Sequence, residues 1–224
     1  MPFCDDLKVL FPKYSMEYCK GAVSITENSS SAKVKELIWS NSNFHKIDST
    51  IVKDMKSFFE TAKSSDIFFL DCDGIVIFEK EGRKYMFFSE LKSSFDTSDI
   101  YYAKDQIISS YLKINMLMHL LRCYNYDDFV IKGFIACLPP KQEFLRDLYR
   151  QQFLKPGSKY KTDAEFVIDL CYCKEKKTTL VPTDCFKLKG LPLGNTGIFK
   201  EIEFNYVEVP EGKSSITLDV ENYI

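Results

Sequence analysis

Two stretches, Asp71-Cys-Asp-Gly-Ile-Val-Ile-Phe78 and Tyr85-Met-Phe-Phe-Ser-Glu-Leu-Lys92, decide the fold of this 224-residue chain. Both are rich in aromatic and β-branched residues, which favour strands. The polar segment 79–84 contains a glycine and separates them as a turn does. We therefore predict two adjacent strands, Gly74–Phe78 and Tyr85–Lys92, with Ile67–Leu70 as another strand of the same meander.

Charged residues stand at one end of these predicted strands. Glu90 and Lys92 are two apart, so their side chains share one face of a strand with Cα atoms about 6.6 Å apart. Asp73 is expected to meet them across the sheet, because neighbouring strands lie about 4.8 Å apart. Asp71 is the alternative, since on an uninterrupted strand it would face the same side. Gly74 and the alternation after it favour Asp73.

This trio offers what phosphodiester hydrolysis requires. Two carboxylates can hold Mg²⁺ or Mn²⁺, which prefer oxygen ligands, and such an ion lowers the pKa of bound water while a neighbouring lysine stabilises negative charge. The alternative is an ordinary Glu-x-Lys ion pair on a strand face. The apolar neighbours Phe87, Phe88 and Leu91 favour the functional interpretation, because a buried glutamate and lysine are costly.

The flanking segments predict an α/β fold. Helical spacing predicts helices at 33–40 and 49–63, the second capped by Asp48 or Ser49. A long helix is predicted over Asp99–Cys123, capped by Thr97 or Ser98, and a strand over Asp128–Leu138, which Pro139-Pro140 stops. The resulting order is α-β-β-β-α-β, in which the long helix permits the last strand to pair in parallel with an earlier one.

In this sequence Asp73 stands before Gly-Ile-Val-Ile, Glu90-Leu-Lys92 follows seventeen residues later, and a long helix is predicted after them. This arrangement resembles the core of the PD-(D/E)XK nuclease superfamily. The resemblance covers roughly residues 30–138. It implies a restriction-endonuclease-like fold with a central mixed sheet flanked by helices. It also implies that Asp73 and Glu90 ligate Mg²⁺ (or Mn²⁺) and that Lys92 assists the nucleophile.

Members of the RecB-like branch carry a glutamine and a tyrosine on the helix after the motif. Gln106 is therefore a further candidate site residue, but Ser110 stands at the tyrosine position, and Tyr111 lies on the apolar stripe of the helix. Lys104 on this helix is a candidate phosphate contact. The family often has an acidic residue on its first helix, for which Glu36 and Glu60 both remain open.

The chain has 30 Lys+Arg and 32 Asp+Glu, a net charge of −2, so nucleic-acid binding requires a local basic surface. The segment Lys141–Lys161 is the candidate, with Arg146 and Arg150 as expected phosphate contacts. A solvated helix face is the alternative.

We expect one domain spanning 1–224, with the core followed by a C-terminal extension, 139–224. The extension is predicted to hold a helix over 141–153 and a strand over 197–209, and 163–173 is ambiguous. Apolar runs are too short to span a membrane, and charges interrupt the N-terminal apolar residues, so the protein is expected in the cytoplasm. The eight cysteines are expected to be reduced. Cys171, Cys173 and Cys185 form the one metal-type grouping, and a fourth ligand is not evident.

The sequence as a whole predicts a Mg²⁺-dependent nuclease, with DNA favoured over RNA on family grounds. The alternatives are a catalytically inactive nuclease-fold protein that binds nucleic acid or acts as an assembly subunit, and a structural α/β protein in which the motif is coincidental. A homodimer or a place in a larger complex stays open.

Overall fold

The computed structural model describes residues 2–14, 16–60, 65–151, 153–154, 158–172, 174–185, 187–188 and 201–224. The strands are β1 Met16–Thr26, β2 Glu36–Ile47, β3 Gly74–Lys80, β4 Arg83–Lys92, β5 Phe129–Cys137, β6 Lys177–Leu180, β7 Ile202–Glu208 and β8 Ser215–Asp219. The helices are α1 Pro2–Leu10, α2 Thr50–Asp54, α3 Ser65–Phe68, α4 Thr97–Met118, α5 Gln142–Gln151 and α6 Lys159–Tyr172, with 3₁₀ turns at Met55–Phe59, Tyr126–Asp128, Pro182–Asp184 and Val220–Tyr223.

The strands form one mixed eight-stranded sheet in the order β1-β2-β3-β4-β5-β7-β6, and β8 pairs in parallel with the first part of β2. β3 runs antiparallel to both β2 and β4, whereas β4, β5 and β7 are mutually parallel. The expected crossover helix is α4, which joins β4 to its parallel neighbour β5 as such a pair requires. The α/β class is thereby confirmed.

A tight hairpin joins β3 to β4. Lys80 pairs with Arg83, and the two residues between them, Glu81 and Gly82, have positive φ values of 51° and 76°. Two successive residues with positive φ suit the right-handed twist of the flanking strands. The turn fixes the register in which Gly74 pairs with Ser89, and this register sets the next residues, Asp73 and Glu90, side by side.

The two sheet faces are covered differently. On one face, apolar residues of the strands form one cluster with apolar residues of the helices, and Phe88 packs edge-on against Tyr111 of α4. On the other, Trp39 of β2 packs edge-on against Phe87 and Phe134, with ring centroids 5.0 and 4.5 Å away. Trp39 belongs to the first part of β2, which pairs with β8, so this part of β2 lies over the face of β4 and β5. Both faces of the central strands are therefore buried.

Several predicted elements are confirmed. α4 begins and ends earlier than predicted, and its N-cap is Asp96, whose carboxylate accepts hydrogen bonds from Ser98 N and Asp99 N. β3, β4, β5, α5 and β7 agree with predicted segments. Segment 163–173, left ambiguous, belongs to α6 up to Tyr172. Residues 197–200 of the predicted last strand lie outside the described residues.

Two predicted elements are wrong. Segment 33–40 is not a helix, because Leu37 and Trp39 are buried at alternate positions of β2, between β1 and β8. Segment 67–70 is not a strand: α3 covers Ser65–Phe68, and Phe68 stacks on Phe59 with ring centroids 4.4 Å apart. The predicted helix 49–63 is α2 continued by a 3₁₀ turn to Phe59, and residues 61–64 lie outside the described residues.

Candidate active site

The predicted acidic pair meets where β3 begins and β4 ends. The backbone N–H of Asp73 donates to Glu90 Oε2 at 3.1 Å, and the N–H of Leu91 donates to Asp73 Oδ2 at 2.7 Å. Each carboxylate is therefore held by the backbone of the other strand. The Glu90 side chain is only 2 % exposed, whereas Asp73 is half-buried.

Lys92 completes this cluster on the helix side of the sheet, the same face as Glu90. Its ammonium lies 2.7 Å from Glu90 Oε1 and 2.6 Å from Gln106 Oε1 on α4. It also lies 5.1 Å from the centroid of the Tyr102 ring, one helical turn before Gln106. The structure thus brings together all four residues that the sequence marked as catalytic. We call Asp73, Glu90, Lys92 and Gln106 the carboxylate–lysine cluster.

A polar stripe on α4 fixes the segment that carries Asp73. Gln106 Nε2 donates to Asp71 O at 2.8 Å, and Ser110 Oγ accepts from Cys72 N at 2.9 Å. Lys113 Nζ donates to Leu70 O at 2.8 Å and pairs with Asp71 Oδ1 at 2.7 Å. These three residues are spaced i, i+4, i+7, so they share one face of the helix. Three consecutive residues before Asp73 are therefore held by one helix.

Asp71, the alternative to Asp73, has a structural role. Its carboxylate is 6 % exposed and pairs with the fully buried Lys113 and with Lys56. Tyr111, next to Ser110, is 1 % exposed and packs edge-on against Phe88, as its place on the apolar stripe predicted.

Burial dominates the electrostatics of the cluster. It raises the pKa of the Glu90 carboxyl from 4.5 to about 8, an effect that the charge of Asp73 reinforces and Lys92 only partly offsets. Burial likewise raises the pKa of Asp73 to about 6, against the hydrogen bond from Leu91 N. Two adjacent carboxyl groups that are both costly to ionise favour a bound cation.

Two charged residues near Asp73 had no signal in the sequence. Glu27, just after β1, raises the pKa of Asp73, and the exposed Lys53 in the last turn of α2 lowers it. The two acidic candidates for this place lie elsewhere: Glu36 accepts a hydrogen bond from Ser24 Oγ at 2.6 Å, and Glu60 is exposed after the 3₁₀ turn. Only the pairing of distant strands places Glu27 near the cluster.

A cleft of about 290 Å³ lies beside Asp73, which is the member of the cluster that lines it. Its lining is polar and comes mainly from β1, β2 and the loops that follow them, including Glu17, Lys46 and Asp48. A substrate group in this cleft would meet Asp73 first.

The expected phosphate contact Lys104 is placed differently. It is 2 % exposed, and its ammonium lies 3.2 Å from the Tyr101 ring centroid and 3.3 Å from Asp105 Oδ1. Lys104 therefore belongs to the packing between α4 and α6 and does not face solvent. Arg146 and Arg150 are both exposed on α5, and Arg150 pairs with Asp147 at 3.2 Å.

The donor set suits a hard divalent cation. Asp73 and Glu90 offer two carboxylates, and Mg²⁺ is commonly bound by one or two carboxylates with water and substrate oxygens as its other ligands. Among the described residues no group of three or more His, Cys, Asp or Glu could hold a metal by itself. Cys171 and Cys185, two of the three cysteines considered as metal ligands, belong to no such group among the described residues, and Cys173 lies outside those residues.

Comparisons of the chain with protein-family models, with curated proteins and with solved structures found no match in any of the three. The fold and the site therefore define the class: an α/β protein with a carboxylate–lysine cluster between its sheet and a crossover helix. Within the described ranges, no helix combines the length and the apolarity that crossing a membrane requires.

Proposed function

We propose that this chain is a divalent-cation-dependent nuclease of the PD-(D/E)XK type that hydrolyses phosphodiester bonds, with DNA as the expected substrate. The observation that carries the proposal is the carboxylate–lysine cluster itself, in which Asp73, Glu90, Lys92 and Gln106 are joined through hydrogen bonds. The succession β3, β4, α4, β5 supports it, since it agrees with the β-β-α-β part of the predicted order; the three consecutive strands of that order are not found, because α2 and α3 stand between β2 and β3.

Asp73 and Glu90 would hold the Mg²⁺ ion. When bound, such an ion lowers the pKa of water and neutralises charge on the phosphate. Hydrolysis joins a water oxygen to phosphorus and breaks one phosphorus–oxygen ester bond, so negative charge grows on the phosphate oxygens. The Lys92 ammonium, 2.7 Å from Glu90 Oε1, would stabilise that charge or orient the water.

Gln106 has a positioning role in this scheme. Its amide oxygen accepts from Lys92 while its amide nitrogen donates to Asp71 O, so the orientation of the amide is fixed at both ends. Lys92 is therefore held by Gln106 as well as by Glu90. Removal of Gln106 is expected to lower kcat and leave the fold intact.

The test is a cleavage assay on supercoiled, linear and single-stranded DNA and on RNA, with Mg²⁺, Mn²⁺ or EDTA. Asp73→Asn, Glu90→Gln and Lys92→Ala are each expected to abolish cutting. Glu203→Gln is the matched control, because Glu203 of β7 is also a strand glutamate paired with a lysine, here Lys132 of β5 at 2.7 Å, but away from Asp73.

Metal-dependent cutting that persists in Glu203→Gln and disappears in the three cluster variants would support the nuclease. If the folded wild-type protein cuts none of these substrates, and Mg²⁺ and Mn²⁺ leave its melting temperature unchanged, the proposal is refuted. The same result would favour the catalytically inactive nuclease-fold protein that binds nucleic acid or acts as an assembly subunit.

A further inference from the structure

Tyr102 extends the polar stripe of α4 toward solvent. Gln106, Ser110 and Lys113 of this stripe hold the segment before Asp73, and Tyr102 lies one helical turn before Gln106 on the same face of the helix. Its side chain is 46 % exposed, whereas Lys113 is fully buried. The stripe therefore ends in an accessible aromatic ring.

This ring stands beside the Lys92 ammonium. The ring centroid lies 5.1 Å from Lys92 Nζ, a distance at which a cation is attracted to the face of an aromatic ring. The other two side chains that hold Lys92 are less exposed, since Glu90 is 2 % exposed and Gln106 is half-buried. A substrate that approaches Lys92 would therefore meet the Tyr102 ring.

There is room for a planar group beside this ring. Tyr102 lines a cleft of about 500 Å³ between α4, α5 and α6, a volume within the range of small-molecule sites. Phe144 of α5 and Tyr160 of α6 contribute further aromatic rings to its walls. A nucleobase is planar and gains affinity by stacking on an aromatic side chain.

The carboxylates that line this cleft already interact with the protein. Asp96 is the N-cap of α4, Asp105 pairs with Lys187 at 3.1 Å, and Asp163 interacts with the Tyr101 hydroxyl. We therefore expect no recognition of a particular base by these groups. Stacking alone accepts any base, because every base has a π-face.

We propose that Tyr102 is the stacking platform for the base next to the scissile phosphate, and that the substrate is therefore a single strand at this position. The inference rests on the proposed function and adds a substrate class to it. One sugar links a base to its phosphate, so a phosphate at Lys92 brings a neighbouring base within reach of the Tyr102 ring. The bases of a duplex are stacked on one another, and a duplex would have to unstack one of them first.

Binding without cleavage tests the proposal. Fluorescence anisotropy in EDTA compares labelled oligo(dT), oligo(dC), an abasic strand of the same length and a duplex. The wild type is expected to bind oligo(dT) and oligo(dC) alike, and the abasic strand and the duplex about tenfold more weakly, the effect of losing one stacked base.

Two substitutions of Tyr102 separate its ring from its hydroxyl. Tyr102→Leu should weaken oligo(dT) binding by about tenfold and leave binding of the abasic strand unchanged, whereas Tyr102→Phe keeps the ring and should keep the affinity. Tyr18→Leu is the matched control, because Tyr18 of β1 is 58 % exposed and its ring also lies beside another side chain, 5.3 Å from the ring of His45. Melting curves establish that all variants fold.

Three results would each overturn the proposal. The first is a wild type that binds oligo(dT) no more tightly than the abasic strand. The second is a Tyr102→Leu protein that loses affinity for both strands equally, because Tyr102 would then act only by holding Lys92. The third is a Tyr102→Phe protein that loses as much affinity as Tyr102→Leu, because the contact would then be made by the hydroxyl.

The two proposals fail differently. Metal-dependent cleavage by the wild type, combined with oligo(dT) binding that Tyr102→Leu leaves intact, removes the stacking platform and keeps the nuclease. Binding of oligo(dT) that depends on the Tyr102 ring, combined with no cleavage of any substrate, supports the stacking platform and removes the nuclease.

Discussion

Glu90→Gln is expected to stabilise the protein at alkaline pH when divalent cations are absent. The wild-type carboxyl is 2 % exposed, and burial raises its pKa from 4.5 to about 8. A group whose pKa is raised on folding holds its proton more tightly in the folded state. The unfolded chain therefore loses that proton first as the pH rises, and the free energy of unfolding falls between pH 4.5 and 8.

The magnitude follows from the size of the shift. One pKa unit corresponds to about 1.4 kcal/mol, so the full rise of the Glu90 pKa amounts to roughly 5 kcal/mol. Part of this belongs to the coupling with Asp73, and glutamine loses the attraction to Lys92. We therefore expect a net gain of about 2 kcal/mol at pH 8.5 and none at pH 4.

Urea denaturation in EDTA at pH 4, 6 and 8.5 measures this difference. Trp39, the single tryptophan, is fully buried and reports unfolding by fluorescence. Glu203→Gln serves as the control and should give no gain at any pH. Added Mg²⁺ should raise the stability of the wild type at pH 8.5 and leave Glu90→Gln unchanged. A Glu90→Gln protein that is less stable than wild type by the same amount at every pH would refute the reasoning, because Glu90 would then be an ionised partner of Lys92 throughout.

Three further changes test the framework around the site. Lys113→Met leaves the buried Asp71 carboxylate short of a partner 2.7 Å away and should lower the free energy of unfolding by about 3 kcal/mol in urea denaturation. Gly74→Ala places a Cβ only 2.3–2.8 Å from side-chain atoms of the fully buried Ile25; it should cost about 1–3 kcal/mol, and a melting temperature equal to wild type would contradict this packing. Asp96→Ala removes the N-cap of α4 and should cost about 1 kcal/mol, whereas Asp96→Asn or Asp96→Ser should restore most of it.

The sequence by itself determined the local geometry of the cluster. Side chains alternate along a strand, so Glu90 and Lys92 had to share a face once β4 was recognised. The apolar spacing of α4 and the continuous apolar run of β5 were equally readable, because period and length are properties of neighbouring residues. The polar hairpin at Glu81 and Gly82 then brought Asp73 beside Glu90.

Only the tertiary structure decided what distant segments contribute. Segment 33–40 has helical spacing, but residues 36–40 belong to β2 because they pair with β1 and β8. β8 lies far away in the sequence: the hydrogen bond from Ser40 Oγ to Leu218 O joins residues 178 positions apart. The position of Lys104 on the predicted helix suggested a solvent-exposed side chain. In the fold its ammonium lies over the ring of Tyr101 and near Phe166 of α6. Asp71 and Asp73 likewise have distinct roles because Lys113 of α4 pairs with Asp71, whereas Asp73 lies beside Glu90 of β4. Such choices depend on the free energy of packing between elements, which no local pattern encodes.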